Sequence, residues 1–208
     1  FDIIYHEAAQ TMVPASIDNP YLDADINISG MLRVLEAARK TDVQKIIFSS
    51  SAAVYGDNPA LPLTENLIPA PSSFYGLTKW MTEKYLALYH KIYELSYTVL
   101  RYSNVYGPRQ GADGEGGVIY IFAKSLAENK PITIFGDGQQ TRDFISVHDV
   151  VSANLAALGK RRNHKCQHRN GTVTERFGFK NDCGRRTLPK TSPLRFPTHR
   201  RHLSLLPL

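Results

Sequence analysis

Short runs of β-branched and aromatic residues alternate with helical segments from Ile3 to about residue 158, and this alternation limits the folds available to the chain. The clearest runs are residues 3–5, 45–48, 98–102 and 132–135. Short strands separated by helical stretches are typical of a parallel sheet whose faces are covered by helices. We therefore predict an α/β fold with strands at these four positions.

A first helix is predicted between the first two strands. Ile28, Leu32 and Leu35 fall at i, i+4 and i+7, which places them on one face of a helix. Arg39 and Lys40 follow at the end where the helix dipole favours cations. We expect this segment to be a crossover helix that packs on the sheet.

A second, longer helix is predicted over residues 72–94. Ser72 or Ser73 is a suitable N-cap, because a serine hydroxyl can accept a hydrogen bond from a free backbone N–H. Three apolar side chains have helical spacing, and we expect them to form the buried face: Leu77, Met81 and Leu88.

Positive charge is concentrated at the end of the chain. Residues 161–208 contain twelve Lys and Arg but only two acidic residues, Glu175 and Asp182, whereas residues 1–160 carry a net charge of −4. No period of 2 or 3.6 is visible after Lys160, so we expect a disordered basic tail that is not homologous to the rest. Such a tail binds nucleic acid only non-specifically, and a nucleic-acid partner is not favoured.

Both cysteines, Cys166 and Cys183, also lie in this tail. Residues 1–160 therefore offer no disulfide framework and no cysteine-ligated metal, which favours a cytoplasmic setting. The spacing of Cys166 with His164 and His168 matches no standard zinc site, so we predict no metal. No stretch reaches the apolar length of a membrane span, and no membrane partner is expected.

The residues best suited to chemistry follow the second strand. Ser49 to Ser51 end that strand, where the carboxyl ends of parallel strands line a ligand crevice. Tyr75 and Lys79 are four residues apart on the longer helix, so the ammonium can lie near the phenol. A nearby cation favours the phenolate, which could accept a proton from a substrate hydroxyl held also by Ser51. Alternatively, Tyr-x-x-x-Lys arises by chance in many helices, and serines are common in turns.

Six motifs follow one another along the chain. They are His-Glu-Ala-Ala-Gln at 6–10, the helix with Asn27 and Gly30, Ser-Ser-Ser-Ala-Ala-Val-Tyr-Gly at 49–56, Tyr75-x-x-x-Lys79, Arg-Tyr-Ser-Asn-Val-Tyr-Gly-Pro-Arg at 101–109 and Gly-Asp-Gly-Gln-Gln-Thr-Arg-Asp-Phe at 136–144. Their order resembles that of the NAD-dependent nucleotide-sugar epimerase/dehydratase family, which belongs to the extended short-chain dehydrogenase/reductases. The chain resembles the UDP-glucose 4-epimerase-like members of this family most.

The resemblance implies a Rossmann-like, doubly wound parallel sheet and a role for particular residues. It implies that Ser51, Tyr75 and Lys79 are the catalytic set. The residues that it places around the NAD cofactor are Ala8, Ala9, Asn27, Ser49, Tyr75, Lys79 and Tyr102. Besides Ser51, it assigns Asn104 and Arg142 to the nucleotide-sugar substrate, and the planar donor fork of a guanidinium suits a diphosphate.

The implied reaction is a transient oxidation of the sugar at C4. Tyr75 takes the proton of the 4-hydroxyl while hydride passes to NAD, and hydride then returns to the other face of the 4-keto sugar. Related dehydratases and decarboxylases resemble this fold but carry an acidic residue where Ala52 and Ala53 stand. The absence of an acidic residue at these two positions favours epimerisation. The sugar is less defined, because residues 114–118 have glycine where the best-known galactose epimerases resemble one another in having asparagine.

The resemblance also implies missing parts. The glycine-rich turn that receives the cofactor pyrophosphate should precede Phe1, so we expect a chain truncated at both ends that aggregates and binds NAD weakly. The expected domains are an incomplete Rossmann-like domain at 1–110, a partial substrate-binding region at 111–160 and the tail at 161–208. We expect the strand at 45–48 to have lost a neighbour.

The expected partner is a UDP-hexose, and a homodimer is possible. Alternatives are an inactive fragment, a pseudoenzyme or binding module, and another nucleotide-sugar epimerase or reductase.

Overall fold

A computed structural model of the chain describes residues 1–111, 117–138 and 141–159, together with the backbone of Thr172–Val173. The strands are β1 (Ile3–His6), β2 (Lys45–Ser51), β3 (Ser96–Tyr102), β4 (Asn104–Tyr106), β5 (Phe144–Ser146) and β6 (Thr172–Val173). The helices are α1 (Val13–Asp18), α2 (Pro20–Ala24), α3 (Gly30–Lys40), α4 (Phe74–Tyr93), α5 (Val118–Ala127) and α6 (Val147–Ala157). A π-helical turn covers Asp25–Ser29, and a 3-10 turn covers Ala52–Tyr55.

The principal sheet has four parallel strands in the order β1-β2-β3-β6. Strand β2 pairs with both β1 and β3, so that Ile46 lies opposite Ile4 on one side and Tyr97 on the other. A second, two-stranded sheet pairs β4 with β5 in parallel. The predicted α/β fold with a parallel sheet is confirmed.

Helices cover both faces of the principal sheet because successive side chains of a strand point to opposite sides. Ile46 and Phe48 of β2 pack in one apolar core with Met31 and Leu35 of α3 and Leu86 of α4. Ile47 of β2 points to the other face, where it packs in a second core with Leu100 of β3 and Ala157 of α6. The sheet is thus doubly wound, with its carboxyl ends free to carry a site.

Two expectations about the strands are wrong. Residues 132–135 form no strand, because no strand in the described ranges pairs with them and Phe135 is 79% exposed. Alternation of β-branched residues predicts a strand only where a partner supplies the backbone hydrogen bonds. The strand at 45–48 was expected to have lost a neighbour, but β2 pairs with β1 on one side and β3 on the other. Within the described residues it is β1 that has one strand neighbour.

The first predicted helix is confirmed as α3. Leu35 is fully buried, Leu32 packs against the apolar core, and Arg39 and Lys40 occupy the last turn. The predicted tail lies outside the described residues apart from the backbone of β6. Its disorder and the three domain boundaries therefore stay predictions.

The second predicted helix is confirmed as α4, but its predicted buried face is wrong. Ser73 is the N-cap, and its hydroxyl accepts a hydrogen bond of 3.1 Å from the Gly76 N–H. Leu77 is 39% exposed and Leu88 is 49% exposed. The buried residues of this helix are mostly polar: Gly76, Thr78, Lys79, Thr82, Glu83 and Leu86. The apolar spacing identified the face that points away from the sheet.

Candidate functional site

The end of β2 turns sharply at Ser51. This residue caps the 3-10 turn that follows, and its Oγ accepts a hydrogen bond of 3.1 Å from the Ala53 N–H. The cap ends the strand and holds the Ser51 side chain at the carboxyl edge of the sheet, where parallel α/β folds bind ligands.

Two glycines allow the start of α4 to approach this turn. A Cβ on Gly76 would lie 2.5 Å from the backbone oxygen of Ala53, so no other residue fits there without a shift. Gly56 has a φ of +60°, and a Cβ on it would lie 2.0 Å from the Ala70 oxygen. These close approaches set Tyr75, next to Gly76, beside Ser51.

The Ser51 hydroxyl interacts with the Tyr75 phenol. Burial raises the pKa of the Tyr75 phenol, the interaction with Ser51 opposes this rise, and the charge of Asp23 adds to it. We expected Lys79 to favour the phenolate, and that effect stays a prediction. The ammonium faces the Tyr75 ring and donates its hydrogen bond to a backbone oxygen.

Lys79 is a buried cation at the base of the site. It is 4% exposed, and its Nζ donates a hydrogen bond of 2.8 Å to the Ser49 carbonyl oxygen. The Nζ atom lies 5.8 Å from the centroid of the Tyr75 ring and 5.0 Å from that of Phe48. Burial lowers the pKa of Lys79 to about 8, and the charges of Glu7 and Asp23 partly offset this effect. The Lys79 ammonium therefore loses its proton at a pH closer to neutrality than an ordinary lysine does.

Ser49, in β2, links Glu7, which follows β1, with Tyr102 of β3. Its hydroxyl donates a hydrogen bond to the Glu7 carboxylate and lies 3.3 Å from the Tyr102 hydroxyl. Tyr102 also accepts a hydrogen bond of 2.7 Å from the Asn154 side chain, and burial raises the pKa of Tyr102. The residues after Glu7, Ala8 and Ala9, have only methyl side chains, and Ala8 is exposed. This edge of the sheet is open beside a chain of hydroxyl groups.

Asn27 supports this edge from behind. Its Oδ1 accepts a hydrogen bond of 2.9 Å from the Gln10 N–H, and its Nδ2 lies within 3.1 Å of both the Gln10 carbonyl and the Asp23 carboxylate and 3.2 Å from the Thr78 hydroxyl. Since its amide is occupied by these partners, Asn27 holds the backbone of Gln10, which follows Ala8 and Ala9 in the chain. Direct contact of Asn27 with a cofactor stays a prediction.

The predicted substrate residues Asn104 and Arg142 lie on the smaller sheet and its approach. The Asn104 side chain donates a hydrogen bond of 3.0 Å to the Asp143 carbonyl oxygen, next to Arg142 in the chain. The Arg142 guanidinium donates one of 2.7 Å to the Thr141 carbonyl oxygen. Both side chains are exposed. The pairing of β4 with β5 brings these two residues near each other, although 38 positions separate them in the sequence.

Sequence reasoning missed three residues of the site: Glu7, Asp23 and Thr78. Glu7 stands inside a recognised motif, but only its alanines were assigned a role. Asp23 lies four residues before Asn27, and Thr78 lies directly before Lys79. Helical spacing relative to a predicted site residue was therefore the signal that could have identified Asp23.

The described ranges hold neither a membrane-spanning helix nor a metal-binding cluster. Residues 1–111, 117–138 and 141–159 include no helix both long and apolar enough to cross a membrane. The same ranges hold no group of three or more His, Cys, Asp or Glu arranged to bind a metal ion. His164, Cys166, His168 and Cys183 lie outside them.

The site can be compared with known proteins. Residues 1–170 match the model of the NAD dependent epimerase/dehydratase family. A protein from Methanocaldococcus jannaschii described as a putative UDP-glucose 4-epimerase is 50% identical over 158 residues, which are 76% of this chain and 52% of the relative. The chain spans about half the length of the curated relatives that it matches.

Solved structures are similar over the same part of the chain. The UDP-glucose 4-epimerase from Thermotoga maritima, solved with UDP-glucose, has a TM-score of 0.74 and 46% identity, covering 78% of this chain and 53% of its own. The UDP-glucuronic acid 4-epimerase from Bacillus cereus, solved with UDP-glucuronic acid and NAD, has a TM-score of 0.71 and 37% identity, covering 78% and 51%. The resemblance found in the sequence motifs is confirmed, and the chain belongs to the NAD dependent epimerase/dehydratase family.

Proposed function

We propose that the protein represented by this chain epimerises a nucleotide sugar at C4 by transient oxidation with NAD. The observation that carries the proposal is the meeting of Ser51, Tyr75 and Lys79 at the carboxyl edge of the sheet. The three side chains come from two elements, and the Ser51 hydroxyl and the Tyr75 phenol interact beside the Lys79 ammonium. A phenol, a hydroxyl and a cation in this arrangement can exchange a proton with one alcohol oxygen.

Tyr75 and Ser51 divide the work on the sugar. Tyr75 accepts the proton of the 4-hydroxyl and later returns it to the 4-oxygen, so its protonation state is unchanged over a full cycle. Ser51 holds the same oxygen by a hydrogen bond and keeps it in line with the phenol. Because burial raises the pKa of Tyr75, the phenolate that accepts this proton is the less populated form at neutral pH when no substrate or cofactor is bound.

The residues at the edge of β1 and β2 fit the nicotinamide half of NAD. Ala8 and Ala9 leave room beside the strand ends, and the Lys79 ammonium has donors beyond the one given to Ser49. Ser49 and Tyr102 add hydroxyl groups at the same edge. When bound, NAD supplies a reversible hydride acceptor at this position. The chain supplies orientation and proton transfer.

Ala52 and Ala53 favour epimerisation over elimination. They form the start of the 3-10 turn directly after Ser51, and their side chains carry no proton donor or acceptor. Elimination of water or loss of carbon dioxide needs a further acid or base near the sugar, which these two positions do not provide. A reaction limited to proton and hydride exchange at C4 is therefore favoured.

The proposed substrate is a UDP-hexose whose diphosphate is bound by Asn104 and Arg142. Both side chains are exposed and lie near each other at the β4–β5 sheet, and the guanidinium fork matches a diphosphate. The two solved relatives were obtained with UDP-glucose and UDP-glucuronic acid, so both sugars belong in the assay. A cytoplasmic location and a homodimer are further parts of the proposal.

The proposal is tested on an extended protein, in which the regions of the Methanocaldococcus jannaschii relative that precede and follow its matching segment are joined to residues 1–160 of this chain. We expect this protein to interconvert the C4 epimers of at least one UDP-hexose. Tyr75→Phe removes the proton acceptor and should lower kcat by about 10²- to 10⁴-fold. Tyr93→Phe, at the exposed far end of α4, is the matched control and should leave kcat unchanged.

The results separate an enzyme from a binding module. Binding of a UDP-sugar without turnover, or equal turnover by the extended protein and its Tyr75→Phe variant, would contradict the proposal. The 208-residue chain is measured in parallel by calorimetry with NAD. We expect it to bind NAD more weakly than the extended protein, and micromolar binding by the 208-residue chain would contradict this expectation.

A further inference from the structure

Asp23 is a fully buried carboxylate that the proposed reaction does not use. Its Oδ1 accepts hydrogen bonds of 2.7 Å from the Gln10 side chain and 3.1 Å from Asn27. Its Oδ2 accepts one of 2.9 Å from the Thr78 hydroxyl. All three donors are neutral groups, and Asp23 forms no ion pair within the ranges that the structure describes.

These donors belong to the two sides of the site. Gln10 follows Ala8 and Ala9 at the end of β1, and its backbone is held by Asn27. Thr78 lies on α4 between Tyr75 and Lys79, and its hydroxyl is also 3.0 Å from the Tyr75 carbonyl oxygen. Asp23 therefore connects the loop at the cofactor edge with the helix that carries the two catalytic side chains.

A negative charge at this position requires its own explanation. A buried carboxylate is costly without a paired cation, and an asparagine could keep most of the same hydrogen bonds. With asparagine at 23, its NH₂ group could donate to Thr78, and the Thr78 hydroxyl would then donate to the Tyr75 carbonyl oxygen. Shape alone therefore does not select aspartate over asparagine.

We propose that Asp23 is a positioning residue for the epimerase chemistry, fixing the cofactor loop to the first turns of α4 by its hydrogen bonds to Gln10 and Thr78. The inference rests on the proposed function. The charge of Asp23 acts on Lys79 and Tyr75 from the α2 side, and the charge of Glu7 acts on Lys79 from the end of β1. The charge of Lys79 also acts on His6 of β1, and the charge of Glu7 acts on Tyr102 of β3.

The direction of the effect follows from the charges. Asp23 raises the pKa of Lys79 against the larger, opposite effect of burial, and it also raises the pKa of Tyr75. The charge of Lys79 in turn adds to the burial that lowers the pKa of His6. Removing the charge of Asp23 should therefore lower the pKa values of both Lys79 and Tyr75.

The first test compares pH profiles of kcat for the extended protein and its Asp23→Asn variant. We expect the profile of the variant to move to lower pH by about half a unit or more, with folding retained. Asp18→Asn is the matched control, since Asp18 is an exposed aspartate on the preceding helix, and its profile should not move. A purely structural role would lower kcat without a shift, and an unshifted Asp23→Asn profile would overturn the proposal.

A second readout does not depend on activity. The pKa of Lys79 is measured by NMR on the methylated extended protein, with Lys79→Arg to assign the signal. We expect a lower pKa in Asp23→Asn than in the parent. If no protein turns over substrate but this pKa falls, the proposed epimerase function fails and the charge effect of Asp23 stands; an unchanged pKa rejects the charge effect.

Thr78→Val covers the case in which Asp23→Asn does not fold. This variant breaks the link between Asp23 and α4 but keeps the carboxylate. We expect kcat to fall about tenfold or more, with the KM for the nucleotide sugar and the pH profile unchanged. Unchanged kcat in Thr78→Val would overturn the positioning role.

Discussion

The two faces of α4 are the reverse of an ordinary surface helix. The face toward the sheet is buried and largely polar, with Thr78, Lys79, Thr82 and Glu83 all less than 9% exposed. The face away from it is apolar and exposed, with Phe74 at 46%, Leu77 at 39%, Leu88 at 49% and Ile92 at 56%. In most helices the apolar stripe faces the core. On α4 the face toward the sheet instead carries polar residues of the site, Thr78 and Lys79.

Hydrogen bonds and an ion pair attach the polar face to the sheet. Glu83 forms a salt bridge of 2.5 Å with Arg101 of β3, and its other oxygen accepts a hydrogen bond of 2.6 Å from Ser50 of β2. Arg101 also donates to the Tyr55 hydroxyl at 2.6 Å. Closer to the far end of the helix, Leu86 packs in the apolar core. The first half of α4 is therefore held by polar contacts, which fix direction as well as distance.

The largest expected effect comes from breaking that ion pair. Glu83→Ala leaves the Arg101 guanidinium buried without its partner, and we expect a loss of about 3–5 kcal/mol in the free energy of unfolding of the extended protein. Urea unfolding measures it. Glu128→Ala, which removes the exposed ion pair with Lys130, is the matched control and should leave stability unchanged. Equal losses in the two variants would remove the distinction between the polar face of α4 and the surface.

A second prediction concerns the cost of the buried ammonium. The pKa of Lys79 is about 8 in the fold against an ordinary value of 10.5. Between these values the unfolded chain binds more protons, so the stability of the parent rises with pH there, and the full penalty applies below about pH 8. We expect Lys79→Met to be more stable than the parent at pH 7 by on the order of 3 kcal/mol, and inactive.

The check is urea unfolding at pH 7 and near pH 10. The stability advantage of Lys79→Met should shrink as the pH rises towards 10.5, because the parent's lysine is then neutral when folded. Lys84→Met, at an exposed position of the same helix, serves as the control and should show no such pH dependence. A constant difference across the range would show that burial does not penalise the Lys79 charge.

Sequence alone predicted the parts of the molecule that depend on local patterns. Strands β1 to β3 and both helices follow from periodicity, and Tyr75 and Lys79 from helical spacing. The buried face of α4 did not follow, because its polar partners come from other elements, such as Arg101 on β3 and Asp23 on α2. Residues 132–135 have strand composition, but a strand also needs a neighbour. Local pattern shows which residues share a face and not what that face meets.

A third prediction tests the close approach that brings the polar face to the sheet. Gly76→Ala places a Cβ 2.5 Å from the Ala53 oxygen, so α4 or the 3-10 turn must shift. We expect a loss of about 2 kcal/mol in stability and a larger proportional loss of kcat, because Tyr75 moves from Ser51. Gly30→Ala is the control: nothing lies closer than 3.8 Å to its Cβ, and it should gain about 1 kcal/mol. Full activity in Gly76→Ala would show that the approach is not needed.

The smallest effect is expected on the outer face of α4. Leu77→Lys and Leu88→Lys replace exposed leucines, and since neither side chain is buried, each variant should change stability by less than about 0.5 kcal/mol. Leu86→Lys, two positions before Leu88 but facing the core, should prevent folding. If Leu88→Lys instead costs more than about 1 kcal/mol and the cost grows with protein concentration, a second copy of the protein covers that face in solution. The apolar stripe would then serve assembly, and the polar stripe of the same helix would still serve the site.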